Sequence, residues 1–225
     1  MLDVFSIAKP QNCDIQIFYG FATTNVGTEW QNWRTWNKPR GVSHIYMMLI
    51  GAGGKGSSTD GGGSGAVTVW YGAAQHVPDS LQIHIRQDSS AQNTTIAYRS
   101  TTSAPITLLE AEGSNTVTGG GTTAASAFAA SGFYQSVAGQ AGATGTQSAS
   151  ATTFLSGGAG GAVLSITANY GYQTNVTGSN GAGYFQLQPI IVGVGGASTT
   201  NTAVGCGSSK NGISGGQGMV LIASW

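Results

Sequence analysis

Along this chain apolar and polar residues alternate with the period of a strand. Leu81, Ile83 and Ile85 alternate with Gln82, His84 and Arg86. Val67, Val69 and Tyr71 alternate with Thr68 and Trp70, and Ile106 and Leu108 with Thr107, in a run that ends in Glu110 and Glu112. Successive side chains of a strand point to opposite faces, so a period of two marks a half-buried strand. Further strands are predicted at Ile15 to Phe21, Val42 to Ile50, Thr94 to Arg99, Gly161 to Thr167, Tyr184 to Leu187, Ile190 to Val194 and Gly218 to Trp225. Val42 to Ile50 and Met219 to Ile222 are almost continuously apolar. Such runs predict central strands buried on both faces.

The residue types agree. Val and Ile total 28 against nine Leu, with 25 Thr besides. Branched side chains fit a pleated surface and lose rotamer freedom in a helix. Glycine clusters at 51–54, 61–63, 119–121, 157–158 and 195–196 separate the runs as turns. The predicted fold is all-β: a single antiparallel β-sandwich domain over 1–225, of jelly-roll type, with long glycine-rich loops. Residues 113–160 are a low-complexity Gly/Ala/Ser/Thr insertion or assembly loop, punctuated by Phe128, Phe133, Tyr134 and Phe154. Trp30, Trp33 and Trp36 are three apart. Pro39 disfavours a helix there, so they are read as a loop packed on the sandwich.

Composition changes the picture in one respect. Only 16 of 225 residues are charged, eight of each sign, where about a quarter is usual. From Gly113 onward Lys210 is the only charge, and that half holds 25 of the 37 glycines. Without a basic footprint the chain is not expected to bind nucleic acid, nor an anionic membrane through a basic helix. No apolar run is long enough to insert in a bilayer as a helix. The start, MLDVFSIAKP, has no signal-peptide pattern. A neutral, glycine-rich surface suits close contact between subunits better than a freely dissolved monomer.

Candidate chemistry is sparse. Gly51-Ala52-Gly53-Gly54-Lys55-Gly56 fits the dinucleotide fingerprint in form, but Ser57 to Gly63 cannot start the helix whose N-terminus would meet the pyrophosphate. His44, His76 and His84 have no metal-ligand spacing, and Glu110 and Glu112 are read as a solvated pair at a strand end. Cys13 and Cys206 are read as two buried thiols, with a disulfide left open. The sequons at Asn93 and Asn175 are read as chance in a Thr-rich chain. No catalytic residue, cofactor or metal is assigned, and the chain is not expected to be an enzyme. Trp30, Trp33, Trp36, Trp70 and Tyr71 are the candidate contact residues, for a glycan or for another subunit, since aromatic rings serve both.

The run Trp33-Arg34-Thr35-Trp36-Asn37-Lys38-Pro39-Arg40-Gly41-Val42, the strand to Ile50, then GAGGKG and GGGSGAVTVWYG, resemble a known pattern. With Pro78 to Ile83 and the closing Gly215 to Trp225, they look like the glycine-rich domain of bacteriophage virion and tail-associated proteins. The resemblance covers roughly Trp30 to Ser114 and the last dozen residues. It implies a virion structural protein, made in the host cytoplasm and carried in the particle with other virion proteins. The expected form is a homo-oligomer, trimer before pentamer, acting as a spike, vertex or minor capsid component. The alternative is a receptor-binding fibre or adhesin domain that recognises host glycans. The chain has fewer glycines than that family often shows, which argues against an extended polyglycine lattice.

Overall fold

The computed structural model describes residues 13–20, 33–85, 93–99, 105–114, 118–139, 141–142, 185–187, 190–192, 204–205, 207–208 and 215–225. Two antiparallel sheets pack face to face as a β-sandwich. The first sheet has the order β1 (Asp14–Tyr19), β11 (Met219–Ser224), β3 (His44–Ile50), β4 (Val67–Ala73), β8 (Phe133–Val137). The second has the order β2 (Trp33–Asn37), β5 (Ser80–His84), β6 (Thr94–Tyr98), β7 (Ile106–Ala111). A separate hairpin pairs β9 (Phe185–Leu187) with β10 (Ile190–Val192).

The two apolar runs behave as their patterns predict. β11 and β3 lie side by side within the five-stranded sheet, and both are buried almost throughout. Ile45, Met47, Leu49, Val220 and Ile222 face the second sheet and form the sandwich core. Tyr46, Met48, Ile50, Met219 and Leu221 face the other way and form a second buried cluster, onto which Val204 packs. The first sheet is therefore apolar on both sides, while β5 has the half-buried alternation, with Leu81 and Ile83 inward and Gln82 and His84 less buried.

Several expectations need correction. The described strands do not pair as a jelly roll does, from the chain ends inward. β1 pairs with β11 in that manner, but β3 neighbours β4, and β5, β6 and β7 form a meander. In β4 the faces are inverted: Trp70 points into the sandwich core, and Val67 and Val69 belong to the second cluster. A β-bulge in the β6–β7 ladder pairs Ile96 with Leu109 but Ala97 with Thr107. One extra residue resets the alternation, so Leu108 and Leu109 are both core and Ile106 is exposed. β2 and β8 were not among the predicted strands, the first being read as a loop and the second lying in the low-complexity insertion. The predicted strand Gly161 to Thr167, that insertion at 115–117, at 140 and beyond 142, Trp30, Cys206 and the sequon at Asn175 lie outside the described residues. Cys13 is a half-buried free thiol.

One end of the sandwich carries two of the crossovers between sheets, β2 to β3 and β4 to β5. At the β2–β3 corner Gly41 adopts φ +80°, a conformation that a side chain disfavours. Lys38 laces this corner to the β4–β5 crossover. Its backbone N–H donates to the Asp79 carbonyl (2.8 Å), and its Nζ donates to the carbonyls of Val77 (2.7 Å) and Ala74 (3.3 Å). The same Nζ meets Asp79 Oδ1 at 2.8 Å and holds that carboxyl below its usual range.

Candidate functional site

The opposite end of the sandwich is built mostly from glycine and other small residues. Strands β3, β7 and β8 run out of the sheets there, and β4 and β11 run in, through the described residues 51–54, 61–66, 112–114, 118–120, 139, 141–142 and 215–218. These segments, with 205 and 207–208, pack backbone against backbone. Segment 61–66 is wholly buried at the centre. Its backbone bonds reach several neighbours: Gly62 N–H to the Ser208 carbonyl at 2.7 Å, Gly65 N–H to Gly205 at 2.9 Å and Ala66 N–H to Glu112 at 2.9 Å. Gly63 and Ser64 accept from Gly54 and Gly120, each at 2.9 Å. Buried backbone groups must be paired, and here other extended segments pair them.

The glycines are required by distance. A Cβ built at Gly65 would lie 2.0 Å from the Gly51 carbonyl oxygen, at Gly207 1.9 Å from that of Gly62, and at Gly142 1.8 Å from that of Gly61. Real side chains do not approach a backbone so closely. A compact glycine lattice therefore exists despite the modest glycine number, because only positions facing a neighbouring segment must lack a side chain. Ala52, Ser64, Ala66 and Ser208 share the same segments. Gly51 to Gly54 belong to this bundle and run on through a turn at 57–60 into segment 61–66, with no helix after Gly56. The geometry is that of a bundle strand and not of a dinucleotide loop.

The candidate aromatic residues separate into different settings. Trp33 and Trp36 are an odd number apart on β2, so they take opposite faces. Trp36 is 1% exposed and Trp70 is fully buried, and both belong to the sandwich core. Trp70 stacks on Phe128 with centroids 4.8 Å apart. These two indoles are packing residues and not surface contacts. Trp33 is half-buried and stacks on its cross-strand partner His84 (5.0 Å, 24°). Beside them Thr35 and Gln82 exchange hydrogen bonds of 3.2 and 3.4 Å. Tyr71 belongs to a three-ring cluster with His44 and Trp225, at centroid distances of 5.7, 5.9 and 6.1 Å and angles within 18°. Near-equal distances show that the rings are tiled side by side in place of a column. Ser43 and His44 N–H groups anchor the Trp225 carbonyl at 2.6 and 2.9 Å. His44, His84 and Trp225 carried no sequence signal for these partnerships, because each lies far along the chain from the ring it meets.

Titratable groups are few. Burial pushes the Tyr46 hydroxyl up to about 12. Glu110 is raised by burial first and by the charge of Glu112 second, although the Asn93 amide donates to it. Its carbonyl accepts from the hydroxyls of Thr68 (2.6 Å) and Thr123 (2.8 Å), and that of Leu108 from Ser126 (2.6 Å). These hydroxyls cap the free edge of β7. Among the described residues no three His, Cys, Asp or Glu side chains gather as a metal site would require. Among the described residues no helix is long and apolar enough to cross a membrane. Compared with known proteins, the chain matches no family model and no curated relative.

Proposed function

We propose that this chain is a structural protein of a viral particle, a capsid-associated spike, vertex or minor capsid component that works as a homo-oligomer. The observation that carries this reading is the glycine bundle fused to a two-sheet sandwich. Segments from distant parts of the chain interlock through backbone bonds and leave no room for side chains at their contacts. Such a body suits persistence as part of a particle better than turnover of a substrate. The resemblance of Trp33 to Val42 and of the glycine runs to the phage glycine-rich domain supports it. So does the nearly uncharged second half, whose neutral surface suits subunit contact. Light scattering on the purified chain at micromolar concentration is expected to give a stable oligomer. Electron microscopy of that oligomer is expected to give its symmetry, three-fold before five-fold. A folded, dissolved monomer counts against the reading.

A second reading, a receptor-binding domain for host glycans, is favoured by the Trp33–His84 stack beside Thr35 and Gln82. A ring face next to neutral hydrogen-bonding groups is what a sugar meets in a binding site. Trp33→Ala is expected to abolish binding to host-cell polysaccharide while thermal unfolding stays cooperative. Absence of binding by the unaltered chain across a glycan panel rejects this reading.

A further inference from the structure

Among the described residues, the edges of the sandwich's two sheets are not treated alike. β7 has its outward carbonyls capped by the hydroxyls of Thr68, Thr123 and Ser126. β1 and β8, the two edges of the five-stranded sheet, have no such cover: among the described residues nothing pairs with either on its outer side. Edge strands are normally protected by charges, proline or a bulge, because their free N–H and C=O groups recruit other strands. β8 reads Phe-Tyr-Gln-Ser-Val and has none of these; Asp14 is the single charge on β1.

Both edges also expose apolar side chains, at matching levels. Phe133 on β8 is 61% exposed, and Ile15 and Tyr19 on β1 are 37% and 41% exposed. The register places Ile15, Ala223, Tyr46, Tyr71 and Phe133 in one row across the sheet. Another row runs from Tyr19 through Met219, Ile50 and Val67 to Val137. Every neighbouring pair in the sheet is antiparallel, so after four such steps β1 and β8 run in the same direction.

We infer that β8 of one copy lies parallel beside β1 of a second copy, so that the five-stranded sheet continues from subunit to subunit. Rotation about an axis along the strands keeps the levels aligned. It sets Phe133 against the partner's Ile15 and Val137 against the partner's Tyr19. The joint satisfies at once both edges that the described residues leave unpaired, whereas β8 against β8 leaves every β1 without a partner. A repeated joint of this kind is heterologous and closes into a ring when the rotation allows. The inference rests on the homo-oligomer reading and names its contact.

Disulfide trapping tests it. In a background with Cys13→Ser and Cys206→Ser, chains with Ile15→Cys and chains with Phe133→Cys, differently tagged, are co-expressed and oxidised gently. Strands in a sheet lie about 4.8 Å apart, within the Cα range of about 4.4–6.8 Å that a disulfide accepts. The expected product is a crosslink between the two tags and none within either tag. Phe133→Lys is expected to abolish the oligomer in light scattering while circular dichroism stays unchanged. An oligomer that survives Phe133→Lys, lacks the mixed crosslink, or crosslinks Phe133→Cys to itself overturns the β8–β1 joint but leaves oligomer formation standing. A monomeric unaltered chain overturns both.

Discussion

The sandwich and the glycine bundle are held by opposite means. In the sandwich, large side chains fill the space between sheets: Trp36, Trp70, Leu81, Ile83 and Leu109 are at most 2% exposed. Stability there comes from apolar surface removed from water and from dense packing. In the bundle the contacts are backbone on backbone, and burial is reached by leaving atoms out. The same strands pass through both regimes, since β4 emerges from segment 61–66 and β3 runs into 51–54. One chain thus uses side-chain volume at its middle and side-chain absence at its end.

The contrast can be broken most forcefully at Trp70. Trp70→Ala removes a buried indole, and chemical denaturation is expected to show a loss of about 3–5 kcal/mol. An exposed role for Trp70 would give almost none. The complementary change adds one methyl group. Gly65→Ala drives a Cβ against the Gly51 carbonyl and is expected to cost about 3 kcal/mol, at or above the usual range for overpacking. If Gly65→Ala were neutral, the bundle would be loose and the comparison would fail. Gly41→Ala sharpens the point, because nothing lies within 4 Å of a Cβ there. Only the positive φ opposes it, so the expected loss is about 1 kcal/mol.

The smallest effect concerns Glu110. Its carboxyl holds a proton more tightly in the folded chain than in the unfolded one. Stability linked to it is therefore complete below the ordinary carboxylate range and is lost as pH rises through the raised value. Glu110→Gln is expected to flatten this decline. The melting temperature, followed from about pH 4 to pH 8, should then fall less in the variant than in the unaltered chain. A steeper fall in the variant would show that the Asn93 hydrogen bond outweighs burial.

Much of the sandwich was legible because it follows period two or a continuous apolar run. β3, β5 and β11 satisfy those rules directly. β2 escaped because three tryptophans at spacing three invite a loop or a helical turn, although odd spacing on a strand merely divides them between faces. β8 escaped because Phe133-Tyr134-Gln135-Ser136-Val137 sits in a low-complexity stretch and shows weak alternation. Of the candidate residues, Trp33 and Tyr71 keep a half-buried position, while Trp36 and Trp70 are core. A tryptophan's sequence context does not say which side of a sheet is inside when both sides are apolar.

The sequence by itself determined the strand-rich class, the two central strands and the scarcity of charge, since these depend on residue type and short-range period. Only the tertiary structure decided which face of β4 turns inward, where the bulge in the β6–β7 ladder resets β7, and which glycines meet a neighbouring backbone. Those choices depend on contacts between segments far apart in the chain. A glycine at 65 reads like any other glycine until the Gly51 carbonyl and the Gly205 backbone arrive beside it.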